Sequence, residues 1–193
     1  MINLNDYKIF SSNISNLKEL SKDDSDKDNI FYMTDSLKGA VDFDAVKTDY
    51  LNGMKKSEEC ATSVDGIFKT SKHMVFVEFK NGNMKNEKRK VKDKIRDSLL
   101  MFCDITGKHI ADTREWLEFI LVYNIDKNPI RNQSVKNTVQ ESYSRLEIAK
   151  YFTNKAKEEF IRFDLEKYKT LYFKDVHTYS KSEFDEYLKY NML

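Results

Sequence analysis

The stretch Ser63-Val64-Asp65-Gly66-Ile67-Phe68-Lys69 decides how the chain is read, together with His73-Met74-Val75-Phe76-Val77-Glu78-Phe79-Lys80 beyond the polar linker Thr70-Ser71-Lys72. Two short apolar runs joined by such a linker predict two strands and a tight turn, a β-hairpin. The second run is apolar at nearly every position, as in a strand covered on both faces. Glu78 and Lys80 interrupt its end. Residues two apart in a strand share a face, so these side chains emerge side by side. A charge on a covered strand is costly unless it is paired or bound to an ion. Antiparallel pairing brings Asp65, near the start of the first strand, towards Glu78 at the end of the second.

The pattern is an Asp, twelve residues, a Glu, one residue, a Lys. It resembles the PD-(D/E)xK, or restriction-endonuclease-like, nuclease superfamily, with Val64 standing where that pattern often has proline. The resemblance implies catalytic Asp65, Glu78 and Lys80. Asp65 and Glu78 would ligate Mg²⁺ (or Mn²⁺) through hard oxygens, with the backbone carbonyl of Phe79 as a further ligand. Lys80 would stay protonated and position water or stabilise charge. Relatives often add an acidic residue from the helix before the hairpin, a part open here to Glu58 or Glu59. The same residues also allow a plainer reading, in which Glu78 and Lys80 form an edge-strand ion pair and Asp65 belongs to a turn.

The segment after the hairpin adds weight. Asn81-Gly82-Asn83 is a turn. Met84 to Phe102 then predicts a long helix with Val91, Ile95, Leu99 and Phe102 as its apolar stripe. Lys85, Lys88, Arg89, Lys92, Lys94 and Arg96 crowd its first half, the strongest charge asymmetry in the chain. Cations beside an acidic metal site suit a polyanion: metal for the scissile phosphate, basic side chains for its neighbours. A solvated, lysine-rich helix face is the competing explanation. Gly107 caps the helix end. Glu118 to Asn124 predicts another covered strand. Strand, strand, helix, strand suits a mixed sheet with a right-handed crossover, and this order agrees with the resembled superfamily.

The expected fold is therefore α/β (α+β): a central mixed β-sheet flanked by helices. A restriction-endonuclease-like core spans about 43–125, and a C-terminal extension of helix and strands spans about 133–193, within one domain. Short helices are expected at Ile14 to Leu20 and at Asp44 to Glu59. The charged run from Ser21 to Asn29 reads as a loop. Beyond the Asp126–Gln133 loop, Ser134 to about Phe160 reads as helix. Phe160 to Phe163 and Thr170 to Phe173 read as strand pieces, the latter extended by Val176 to Tyr179. Ser180-Lys181-Ser182-Glu183 is a capping-box pattern that opens a terminal helix.

Composition sets the limits. With 193 residues, 40% hydrophobic and 13% aromatic, the chain can bury a proper core. A net charge of +1 means that any electrostatic recognition is local. Cys60 and Cys103 read as reduced, buried thiols. The three histidines, His73, His109 and His177, show no zinc-ligand spacing. No apolar run spans a bilayer and no leader pattern is visible, so a cytoplasmic protein without a membrane partner is expected. Two function classes remain. One is a metal-dependent nuclease acting on nucleic acid, DNA ahead of RNA, alone or as a homodimer. The other is a non-catalytic nuclease-fold protein, such as an immunity or assembly factor, that binds a protein partner.

Overall fold

A computed structural model describes residues 2–129 and 161–191. The helix expected over Ser134 to Phe160 lies outside them. The hairpin forms as expected: β5 (Gly66–Lys69) pairs antiparallel with β6 (Met74–Lys80). Its turn is closed by Thr70, whose backbone N–H donates to the His73 carbonyl at 2.8 Å and whose hydroxyl accepts from the His73 N–H at 2.9 Å. The register sets Gly66 opposite Val77, so the next pair outward is Asp65 and Glu78. Gly66 is needed here: a Cβ would meet Leu20 Cδ1 at 2.5 Å and the Val41 carbonyl oxygen at 3.0 Å.

The basic segment is helix α4 (Met84–Thr106), capped at its start by Asn83 and at its end by Gly107 at φ 66°. A short helix α5 (Ile110–Trp116) leads into β7 (Leu117–Tyr123), which lies parallel to β6. Strand–strand–helix–strand is thus present. Beyond it, β8 (Asp175–Tyr179) pairs parallel with β7, and α6 (Lys181–Asn191) closes the described chain. The expected capping box is made: the Ser180 N–H donates to Glu183 Oε2 at 2.7 Å, and the Glu183 N–H donates to Ser180 Oγ at 3.4 Å.

The N-terminal part departs from expectation. After α1 (Lys8–Ser11), residues expected to be wholly helical split into β1 (Ile14–Asn16) and α2 (Leu17–Leu20). Asn16 causes the break, because its side chain caps α2 by accepting from the Glu19 N–H. The charged run is not all loop: β2 (Lys22–Asp23) pairs with β3 (Phe31–Tyr32). An unexpected strand β4 (Gly39–Asp42) joins β1 to β5, and α3 (Phe43–Gly53) comes after it. Helix α3 stops at Gly53, and Glu58–Cys60 is a separate 3₁₀ turn. In the C-terminal part, residues 161–163 are not strand, and the Thr170–Phe173 segment is a turn with a single bridge from Lys169 to Phe173. Thr170 has φ 60°, a geometry no strand accommodates. Cys60 is exposed and Cys103 half-buried, both free thiols, so the expectation of buried thiols fails at Cys60.

The six strands run β1-β4-β5-β6-β7-β8 in a mixed sheet. Strand alternation divides the core. Met74, Phe76, Leu117, Phe119 and Leu121 face α1, α3 and α4. Val75, Val77, Phe79, Ile120 and Val122 face α2 and α6. Phe76 anchors the first layer, with ring centroids 5.6 Å from Phe43, 5.4 Å from Phe102 and 6.0 Å from Phe173. By the same alternation Glu78 points into the α4 layer, two positions beyond Phe76. No helix among the described residues is long and apolar enough to cross a membrane.

Candidate active site

Three elements build the site. The segment before β5 supplies Asp65, the end of β6 supplies Glu78 and Lys80, and the middle of α4 supplies Lys94. Helix α4 is clipped to the first segment by Ser98, whose Oγ accepts from the buried Val64 N–H at 2.8 Å. Ser98 lies one turn beyond Lys94 on the same helix face, so one docking contact positions both.

Lys94 Nζ lies 3.0 Å from Asp65 Oδ1, 3.0 Å from Glu78 Oε2 and 2.8 Å from Glu78 Oε1. Lys80 Nζ stands 3.0 Å from Glu78 Oε1 and 4.0 Å from Glu87. The other Asp65 oxygen accepts from the Phe79 N–H at 2.6 Å, which fixes the carboxylate's orientation. The sequence-predicted trio Asp65, Glu78 and Lys80 is therefore brought together. Glu78 is fully buried. Burial first, then the Asp65 carboxylate, pushes its pKa up to about 8, against the pull of Lys94 and Lys80. The two carboxylates hold Lys94 well above the ordinary lysine value despite its burial. Glu78 Oε1 receives no well-aligned hydrogen bond although two ammoniums are within ion-pair distance.

A polar cavity of about 560 Å³ opens against this cluster, lined among others by Asp23, Asp44, Asp65, Phe79, Lys80 and Glu87. Asp65 thus faces the cavity while Glu78 is sealed behind it. Glu58 and Glu59 are exposed on their 3₁₀ turn and do not line it. The acidic residue that the preceding helix brings to the cavity is Asp44, in the first turn of α3, where Ser63 Oγ hydrogen-bonds to it. The sequence carries no signal that separates Asp44 from its acidic neighbours. Asp23 arrives from the β2–β3 hairpin and accepts from Asn81 Nδ2 at 2.7 Å.

Oxygens of Asp65 and Glu78 converge on one point, which the Lys94 ammonium occupies, and Glu78 Oε1 is buried without a well-aligned hydrogen bond. No group of three or more His, Cys, Asp or Glu side chains placed to hold a metal occurs among the described residues. Magnesium is commonly held by one or two carboxylates, with water and substrate phosphate completing its shell.

The basic face of α4 is mostly engaged within the chain. Lys88 and Lys92 pair with Asp164 at 3.2 and 3.6 Å. Arg89 lies 3.9 Å from Asp93, and Arg96 pairs with the same residue. Lys94 belongs to the carboxylate cluster rather than to the outer face. Lys85 is exposed and lines, with Lys88, Lys127 and Arg162, a second groove of about 870 Å³ that meets the first cavity at Asn83. A second buried cluster stands apart. Glu118 accepts from the Tyr187 hydroxyl at 3.1 Å and lies 3.5 Å from His73 Nε2 and 4.0 Å from His177 Nε2.

Comparison with protein-family models, with curated proteins and with solved structures finds no match for this chain.

Proposed function

We propose that this chain hydrolyses phosphodiester bonds of nucleic acid, DNA ahead of RNA, at a Mg²⁺- or Mn²⁺-dependent site of the restriction-endonuclease-like kind. One observation carries the reading. Asp65, just ahead of β5, and Glu78, on β6, converge on one point, taken by the Lys94 ammonium, beside Lys80 and behind a polar cavity that Asp65 lines. A divalent ion held there would lower the pKa of a bound water and neutralise charge on the phosphoryl oxygens. Asp65, aimed by the Phe79 N–H and lining the cavity, would supply a ligand oxygen. Lys80 donates towards the attacking water or the phosphate. Lys85 and the groove beyond Asn83 offer contacts for flanking phosphates.

A second reading, a non-catalytic binding protein, draws on a different observation: Lys94 already neutralises the carboxylate pair, and most cations of α4 have carboxylate partners. Cleavage assays separate the two. Purified protein with Mg²⁺ or Mn²⁺ is expected to cut labelled DNA. Asp65→Asn and Glu78→Gln are each expected to lose about 100-fold or more in rate while keeping the wild-type circular dichroism. Equal cleavage by both variants and the wild type would remove these residues from the reaction. Absence of cleavage on DNA and RNA alike would favour the binding protein.

A further inference from the structure

The position where two carboxylates converge is taken by a side chain of the protein itself. Lys94 Nζ sits 2.8–3.0 Å from three carboxylate oxygens. Asp65 Oδ1 and Glu78 Oε2 accept hydrogen bonds from it and Glu78 Oε1 is an ion-pair contact, a setting that suits an ammonium, which donates and cannot accept. Magnesium requires oxygens at about 2.0–2.1 Å. It cannot share this point with an ammonium, and a doubly charged ion placed beside one is strongly repelled at such range. The Glu78 side chain is completely enclosed. Lys94 differs: its side chain keeps 19% of its exposure and rides on a flexible four-carbon stem.

We infer that Lys94 is a built-in counter-ion of the Asp65–Glu78 pair, which a divalent cation has to displace in order to bind. The inference rests on the proposed reading of this pair as a cation site. In the ion-free protein Lys94 supplies the cation that the partly exposed Asp65 and the enclosed Glu78 share. When the ion enters, the released ammonium becomes available to a phosphate oxygen of a bound nucleic acid strand. Ion and polyanion then load together, and the free protein binds Mg²⁺ weakly. Lys94 therefore stands in for the ion in the free protein rather than serving as one of a row of surface phosphate contacts.

Two measurements on the whole chain test this, with MgCl₂ as the only probe. The first is calorimetric titration of wild type and Lys94→Met. The variant is expected to bind Mg²⁺ at least about tenfold more tightly, because one positive charge at contact distance is gone. The second uses the wild type alone, so it stands even if Lys94→Met fails to fold. In nitrogen-15 lysine-labelled protein the enclosed Lys94 ammonium should give a slowly exchanging signal, assigned by its absence in Lys94→Arg. Saturation with Mg²⁺ should abolish that signal. Tighter binding by the variant, or loss of the signal on Mg²⁺ binding, supports the inference. Mg²⁺ binding that leaves the Lys94 signal intact overturns it while leaving the cation site standing. No Mg²⁺ binding by either protein overturns both.

Discussion

Glu78 and Lys94 show how far single residues can be read from a sequence. A glutamate inside an apolar run announces itself, because burial of an unpaired charge costs several kcal/mol and so demands a partner. Lys94 carried a comparable signal, hidden by its neighbours. It lies three residues after Val91 and four before Ser98, on the buried face of α4, where a lysine needs a carboxylate just as Glu78 needs a cation. Its place in a lysine-rich run made it look like one more phosphate contact. His177 makes a prediction at the same scale. Burial holds its pKa below the ordinary 6.5, outweighing the raising effect of Asp175 on its own strand and Glu118 on β7. Lys169 and His73 act in the same direction as burial, and the rings of Tyr179 and Tyr187 pack against it. The neutral form is thus the one the fold accommodates. Below 6.5 the unfolded chain takes up a proton more readily than the folded one, so stability is complete above that pH and is lost as pH falls through the depressed folded value. The urea midpoint should fall between pH 7 and pH 5.5, and fall less in His177→Gln. An identical pH dependence in both proteins would remove His177 as a cause.

At the scale of elements, the hairpin, the basic helix and the parallel strand beyond it were legible because each pattern is long and its period unambiguous. The strands β1 and β4 were not. Gly39–Asp42 is four residues whose buried pair Ala40-Val41 shows no alternation, and Ile14–Asn16 is three, too short to carry a period. Both form because β5 offers its free edge to β4, and β4 then offers its own to β1. The docking of α4 depends on Ser98, a polar residue set in an apolar stripe. Ser98→Ala leaves the Val64 N–H buried without an acceptor and should cost about 1–3 kcal/mol in urea unfolding. Thr62→Ala, which removes an exposed hydrogen bond to Asp97, is the control and should cost less. Equal losses in the two variants would mean that the Ser98 contact does not hold the helix to the hairpin.

The whole molecule carries almost no net charge, and its basic helix is largely matched by Asp93, Asp164 and Glu87. Exposed pairs of this kind contribute about 0–1 kcal/mol each, so a phosphate can compete for their cations only at small net gain. On the proposed reading, nucleic-acid binding should therefore release few counterions. The slope of log affinity against log salt is expected to be no steeper than about −3, read by fluorescence anisotropy with a short DNA duplex. A slope of about −6 or steeper would show that the ion pairs open and that the α4 face is a true polyanion track. The same balance explains why composition alone left the function classes open: net charge counts residues and is blind to which of them already face each other.

By itself, the sequence determined the elements whose signals are local: a covered hairpin, a capped amphipathic helix, a second covered strand, a capping box, and an Asp…Glu-x-Lys set whose charges required partners. Register results from alternation once the pairing is antiparallel, which is why Asp65 and Glu78 were expected to meet. Only the tertiary structure decided which cation stands between them, which acid shares their cavity, and where the charges of α4 are spent. Lys94, Asp44 and Asp164 lie far along the chain from the partners they meet, and such contacts depend on how α3 and α4 pack on the sheet. Local periodicity specifies a helix and its buried face, but the rotation and depth at which that face docks are set by the side chains of every element it touches.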